Sequence, residues 1–214
     1  MDHPEKPPAD RLRLPAAQLR IVDAAAEAFM ERGYDATSVD EVATRIGATK
    51  GAVYYSYRSK LDLFLAVYER GMLLLADRVQ EALAATDGAP AAERLRAVSV
   101  AHARNILDAF TYHVVIQNGV EHRRQMALKD ADRRRLAELD ELRSAHEELV
   151  HTLVLAGQQD RSLRPLPTRL ATRTLIGGVV GIAIWYRPRP DQDDAARAEL
   201  AEQVVAVLLG GLLA

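Results

Sequence analysis

Residues 37–60 read Thr37-Ser38-Val39-Asp40-Glu41-Val42-Ala43-Thr44-Arg45-Ile46-Gly47-Ala48-Thr49-Lys50-Gly51-Ala52-Val53-Tyr54-Tyr55-Ser56-Tyr57-Arg58-Ser59-Lys60, and this stretch decides the fold. Ser38 with Glu41 three positions on is a capping box, which predicts a short helix running to about Ile46. Gly47 can take the positive φ of a tight turn, and Thr49 can cap a second short helix from Lys50 to about Tyr55. Ala43 is small where two such helices cross, and Val53 can plug the second onto the first. Ala43, Gly47 and Val53 lie four and then six residues apart, the steric skeleton of a helix-turn-helix whose second helix enters a DNA major groove.

Working outward, Pro15 suits a helix start, and Leu19, Val22, Ala26 and Phe29 recur at helical steps until Gly33. Downstream, Ser59 with Asp62 can cap a long helix whose apolar face is Leu61, Phe64, Tyr68, Met72, Leu75, Val79 and Leu83, ending in the Thr86–Pro90 breaker. The remaining periodicity predicts helices over Ala91 to Phe110 and Tyr112 to Arg123. A long one carries Leu139, Leu142, His146, Leu149, Leu153 and Ala156 and ends near Gly157. After Pro165 and Pro167 come an apolar helix from Thr168 to Trp185, the break Arg187-Pro188-Arg189-Pro190, and a last helix from Asp193 to Leu213 with Leu200, Val204, Val207 and Leu208 on one face. No segment alternates like a strand, so the expected class is all-α with about nine helices. Pro4, Pro7 and Pro8 make residues 1–14 a disordered arm by pattern.

The 214 residues are 49% hydrophobic and 27% charged, which suits a globular chain and excludes a disordered one. Cysteine is absent, so disulfides, thiolate zinc sites and cysteine nucleophiles are excluded. The longest apolar run, Leu175 to Tyr186, falls short of the roughly 20 residues of a membrane span, and residues 1–14 lack the apolar core of a signal peptide. The expected location is therefore cytoplasmic, without a membrane partner. A net charge of −2 announces no nucleic-acid partner by itself. Charge is local instead: residues 42–61 carry Arg45, Lys50, Arg58 and Lys60 without an acid, and residues 11–22 add Arg11, Arg13 and Arg20.

Lys50 and Gly51 occupy the first turn of the second short helix, where a lysine can reach phosphate or guanine and a glycine lets the backbone approach. Tyr54 and Tyr55 are adjacent and so point about 100° apart, which prevents both from entering one core. Thr37 and Ser38 can hold a phosphate at the start of the first short helix, or simply cap it.

Three stretches, Arg32-Gly33-Tyr34-Asp35-Ala36-Thr37-Ser38-Val39, Thr49-Lys50-Gly51-Ala52-Val53-Tyr54-Tyr55 and Tyr57-Arg58-Ser59-Lys60, resemble the TetR family of transcriptional repressors over about residues 16–65. The resemblance implies a three-helix DNA-binding domain, here 15–60, joined by the fourth helix to a ligand-binding and dimerisation domain, 61–214. It implies that Tyr54 binds phosphate, Tyr55 touches bases and Lys60 binds phosphate. The full expected set of DNA contacts is Thr37, Ser38, Arg45, Thr49, Lys50, Gly51, Ala52, Tyr54, Tyr55 and Lys60. Ser56 stands where relatives often carry histidine or another large polar residue, and Tyr57 replaces a more usual phenylalanine.

The family's last two helices pair with their symmetry mates, which implies a homodimer through Leu175, Val179, Val180, Ile184, Val204, Val207 and Leu208, with Val205 as the alternative outward residue. A ligand pocket would draw on Asn105, Phe110, His113, Gln117, His122, Met126, His146 and Trp185. The end of the chain, Trp185-Tyr186-Arg187-Pro188 and then Val207-Leu208-Leu209-Gly210-Gly211-Leu212, is similar to members that respond to acyl-coenzyme A thioesters, whose phosphates Arg123, Arg124 or Arg187 could meet. An uncharged hydrophobic compound is the other effector expected. The function implied is a repressor that leaves a palindromic double-stranded operator when its effector binds, with no cofactor and no catalysis.

The enzyme alternative rests on His146-Glu147-Glu148-Leu149-Val150-His151. His146 and His151 are five apart and diverge by about 140° on a helix, so they cannot form the His-Glu-x-x-His zinc motif. Glu148 and His151 satisfy Glu-x-x-His, but a di-iron bundle needs a second copy that this chain lacks.

Overall fold

The computed structural model describes residues 14–122 and 130–212, with the side chains of all but 120–122. Every regular element among the described residues is a helix: α1 (Ala16–Ala36), α2 (Val39–Arg45), α3 (Lys50–Ser56), α4 (Lys60–Ala85), α5 (Ala91–Asp108), α6 (Phe110–His122), α7 (Asp130–Gln159), α8 (Thr168–Val180), α9 (Ile182–Trp185) and α10 (Asp194–Gly210). The all-α reading therefore holds. The arm up to Arg13, Arg123, Arg124, Met126 and the side chain of His122 lie outside the described residues. No helix among the described residues is long and apolar enough to cross a membrane.

The described residues form two compact units, one from residues 14–74, 111–122 and 130–140 and one from 75–110 and 141–212; α4 and α7 contribute to both. In the first unit, Val22, Ala25 and Ala28 of α1, Val42 and Ala43 of α2, Val53 of α3 and Leu63 and Val67 of α4 are buried together with Phe29. Phe29, Tyr34 and Phe64 form an aromatic trio with ring centroids 5.4–5.9 Å apart. Gly119 faces the Phe64 ring, and a Cβ at Gly71 would stand 2.6 Å from Ile116 Cδ1, so α6 crosses α4 too closely for side chains at either glycine. The Tyr112 hydroxyl donates to Asp23, and Arg135 of α7 pairs with Asp62 and, at 3.0 Å, with Glu69.

In the second unit α5 packs against α8, α9 and α10. Leu95, Val98, Ile106, Ile182 and Val205 are fully buried. The first free N–H groups of α5 are met from a distant loop, Ala91 donating to Asp160 at 3.1 Å and Ala92 to Ser162 Oγ at 3.2 Å. Asp108 accepts from Arg78, Arg104 and Arg197 at 2.7–2.9 Å, and Arg104 also pairs with Asp194. Periodicity carried no signal of this cluster, because its members come from three helices.

The helix expected over Thr168 to Trp185 breaks at Gly181, where the Ile184 N–H bonds back only three residues. The helix expected to stop near Gly157 ends at Gln159, as expected, and Gly157 seats the side chain of Leu163. The buried side of α10 is Ala201, Val205 and Leu209, four residues apart, so Val205 points inward. Leu175 and Val179 are also buried within the chain and offer no surface to a second copy.

Candidate nucleic-acid interface

The helix-turn-helix forms as its residues predict. Ser38 Oγ accepts from the Glu41 N–H at 3.1 Å, and Thr49 Oγ1 accepts from the Ala52 N–H at 3.3 Å, so each short helix begins on a hydroxyl cap. Gly47 has φ +65°, a value at which a Cβ would be strained, and Ala43 and Val53 are buried at the crossing. The capping box is only half made. Glu41 does not reach back to Ser38; its carboxylate meets Arg32 at 3.4 Å and Arg45 at 3.2 Å.

This frame leaves α3 with one outward face. Tyr55 is 94% exposed and Tyr54 41%, while Gly51 and Ala52 are bare at the surface. Large aromatic side chains are rarely left in water without a partner to meet. Lys50 lies beside them, its ammonium 5.9 Å from the centroid of the Tyr54 ring and 2.8 Å from Asp40 Oδ2 on α2. The hydrogen bond that Lys50 donates to Asp40 raises the lysine's pKa above its ordinary value, so Lys50 is a full cation at neutral pH.

The remaining cations except Arg58 are committed elsewhere, which the linear charge pattern did not foresee. Arg45, expected to face DNA, is turned onto the carboxylates of Glu31 and Glu41, and the same pairing holds Glu31 below the usual carboxylate range. Arg20 donates to the Ile46 carbonyl at 3.0 Å, closing the C-terminus of α2. Lys60, expected on phosphate, donates to the carbonyls of Tyr34 and Asp35 at 2.9 and 3.1 Å and sits 4.5 Å from the Tyr34 ring centroid. It clamps the α1–α2 turn. Thr37 is corrected as well: buried, its hydroxyl donates to Ala28 at 3.1 Å and Gly33 at 2.8 Å, so it ties the turn down and presents nothing to phosphate. Among the described residues the Arg58 side chain makes no ion pair or hydrogen bond; only its N–H bonds Asp62, at 2.9 Å. Residues 14–60 hold six basic and six acidic side chains and are electroneutral.

The ligand candidates have varied surroundings. In the first unit, His113 is buried and burial pushes its pKa down to about 4, while Gln117 is half-buried. In the second, His146 Nε2 lies 3.1 Å from His102 Nδ1, the rings are edge to face, and burial lowers His146 to about 4. Asn105 is buried, and Phe110 packs edge-on against Tyr186 with centroids 5.4 Å apart. Trp185 is corrected as a pocket residue, being 53% exposed. Arg187 donates to the carbonyls of Ile184 and Tyr186. Of the dimer candidates, Val180, Val204 and Leu208 are half-buried, with Leu208 seated on Gly178, whereas Ile184 is 62% and Val207 80% exposed.

Glu148 and His151 line a polar cleft with Ser144, Glu147, Arg169 and Thr172, where His151 Nδ1 is 3.5 Å from Thr172 Oγ1. Among the described residues no three histidine or carboxylate side chains are grouped to hold a metal ion.

Comparison with known proteins agrees with this architecture. The family model for bacterial regulatory proteins of the tetR family matches residues 21–67, and the model for a tetracyclin repressor-like C-terminal domain matches residues 88–212. The HTH-type transcriptional activator FasR of Mycolicibacterium smegmatis is 42% identical over 76 residues, which are 35% of this chain and 35% of that protein. The fatty acid metabolism regulator protein of Bacillus subtilis is 21% identical over 91% of this chain and 94% of its own length. The crystal structure of AibR in complex with isovaleryl coenzyme A and operator DNA superposes with a TM-score of 0.71, at 24% identity, over 89% of this chain and 97% of that one. With both family models matched in order, the second over more than half its length, and a helix-turn-helix of the right geometry in place, this chain belongs to the tetR family of DNA-binding transcriptional regulators.

Proposed function

We propose that the chain is a repressor that binds a palindromic operator as a homodimer, reads it with α3, and leaves it when a small hydrophobic ligand, foremost an acyl-coenzyme A, binds. The observation that carries the DNA reading is the exposure of Tyr54 and Tyr55 beside Lys50 on a helix whose other side is locked into the core. Tyrosine suits such a surface, because its ring packs on sugar or base while its hydroxyl donates to phosphate. Lys50 and Gly51 would enter first, at the N-terminal turn, and Ser38 and Thr49 lie alongside. Two copies related by one dyad would place their α3 helices about 34 Å apart, one turn of duplex.

Self-association is supported by Ile184, Trp185 and Val207, large apolar side chains exposed in the second unit. The effector class is supported by the names of two relatives, one a fatty acid metabolism regulator and one solved with isovaleryl coenzyme A. A coupling of about 1–3 kcal/mol is enough for a 5–150-fold loss of operator affinity. The test is to select a duplex from a random-sequence library, then titrate isovaleryl- and palmitoyl-coenzyme A into the complex. Release together with a raised melting temperature supports the acyl thioester. Retention without stabilisation turns the assignment to an uncharged hydrophobic effector.

A further inference from the structure

The reading helix carries one cation, and that cation is already paired. Lys50 Nζ is 2.8 Å from Asp40 Oδ2, both side chains are more than half exposed, and the pair links the first turn of α2 to the first turn of α3. An exposed pair of this kind adds little to stability, about 0–1 kcal/mol; the dipole of α2 favours an acid in its first turn by a similar amount but does not require that the acid face Lys50. The pair's electrostatic consequence is larger. A lysine is a compact point charge on a flexible stem that will follow any phosphate within reach. Bound to Asp40, its charge is cancelled at short range and its head is held in one place. An ammonium has three N–H groups, so two remain for an acceptor that lies in the right direction.

We infer that Asp40 is a specificity-determining residue: it holds Lys50 on the reading face as a direction-limited donor to base edges and prevents it from serving as an unselective phosphate clamp. This rests on α3 being the DNA-reading helix. Discrimination can be built by penalising wrong partners as well as by favouring the right one, and a carboxylate beside the reading lysine penalises every backbone that offers only phosphate. The rest of the head fits this role. Arg32 and Arg45 are likewise matched by carboxylates, Arg20 and Lys60 have their N–H groups directed onto backbone carbonyls, and residues 14–60 sum to zero charge with Arg58 as the cation whose side chain is unpaired among the described residues, so general attraction to DNA from residues 14–60 is low. Guanine N7 and O6 are the base-edge acceptors a held lysine would read.

The experiment compares wild type, Asp40→Asn and Glu27→Gln on two duplexes, one selected from a random library by the wild-type chain and one a scramble of it, between 50 and 200 mM salt. Glu27→Gln removes the same charge from an exposed α1 position that makes no ion pair with Lys50, whose partner is Asp40. Freeing one cation steepens the logarithmic salt slope by roughly 0.9 per subunit, worth about a threefold gain over that range. The expected result is that Asp40→Asn tightens the scramble about 3- to 10-fold and the selected duplex less than about twofold, so discrimination falls, while Glu27→Gln shifts both duplexes alike. Equal shifts on both duplexes in Asp40→Asn, matching Glu27→Gln, reduce Asp40 to a bulk charge and overturn the inference. No shift on either duplex overturns it too. A wild-type chain that enriches no duplex overturns the reading helix itself, and this inference with it.

Discussion

Two surfaces of the molecule leave large hydrophobic side chains in water, and they do so differently. On α3 the exposed pair is Tyr54 and Tyr55, amphipathic rings flanked by Lys50 and Thr49. In the second unit the exposed set is Leu155, Leu170, Ile184, Trp185 and Val207, none of which carries a hydroxyl. The first surface suits a polar, charged partner, and the second suits another apolar surface. The contrast also divides what the amino-acid order discloses. The head is built from local rules, in which a cap, a positive-φ glycine and a fixed spacing specify one geometry. The outward face of α10 depends on which side of the helix meets α5, and that is a tertiary choice.

The sharpest way to test the division is at two positions two residues apart. Val205 is fully buried and Val207 is 80% exposed. Val205→Glu should cost more than about 4 kcal/mol by burying an unpaired carboxylate, and circular dichroism should report loss of the folded state. Val207→Glu should change stability by less than about 0.5 kcal/mol yet abolish self-association in sedimentation. If Val207→Glu sediments as wild type, the apolar surface of the second unit has another use.

Each unit also shields a histidine whose pKa is depressed, His113 in the first and His146, packed on the buried His102, in the second, which gives the comparison a pH axis. His113 and His146 are both lowered to about 4 by burial, so the folded state holds them neutral while the unfolded chain takes up protons near 6.5. Stability from this source is complete above about pH 6.5 and falls as pH drops toward 4; each histidine should cost about 2 kcal/mol by pH 5. His113→Gln and His146→Gln should each flatten the acid limb of the melting profile. An unchanged limb in both would mean that neither ring is shielded from water.

Thr37→Val comes next in size. It removes the hydroxyl that bonds Ala28 and Gly33, and chemical denaturation should show a loss of about 1.5 kcal/mol, with DNA affinity falling only as far as the fold does. A loss of DNA affinity at full stability would restore Thr37 to the phosphate-binding set. The smallest effect belongs to Arg45→Ala, whose exposed pairs with Glu31 and Glu41 should be worth at most about 1 kcal/mol in thermal melts. A larger loss would show that the α1–α2 link bears more than its exposure suggests.

These predictions also mark how far residue order could be read. The helix-turn-helix, the break at Gly33, whose φ of +78° kinks α1 before its last residues, the Gly47 turn and the apolar face of α4 were legible, because each follows from a period, a cap or a glycine within a few residues. The roles of Thr37, Arg45 and Lys60 were not. Their types match a phosphate contact, but their partners Ala28, Glu31 and Tyr34 lie 9 to 26 positions away. Likewise α10 is apolar on more than one side, so its pattern alone could not choose Val205 over Val204 as the buried residue. The Asp108 cluster shows the same limit, since three arginines from three helices leave no linear trace.

The central claim is that α3 reads DNA with Lys50, Tyr54 and Tyr55. The direct measurement is the affinity of the triple alanine variant for a duplex selected by the wild-type chain, with helicity and melting temperature recorded alongside. All three side chains are exposed, so the fold should be retained. Binding should fall by at least about 100-fold, given two stacking or phosphate-bonding rings and one cation at about 1–3 kcal/mol each. Unchanged affinity in a folded triple variant would contradict the account.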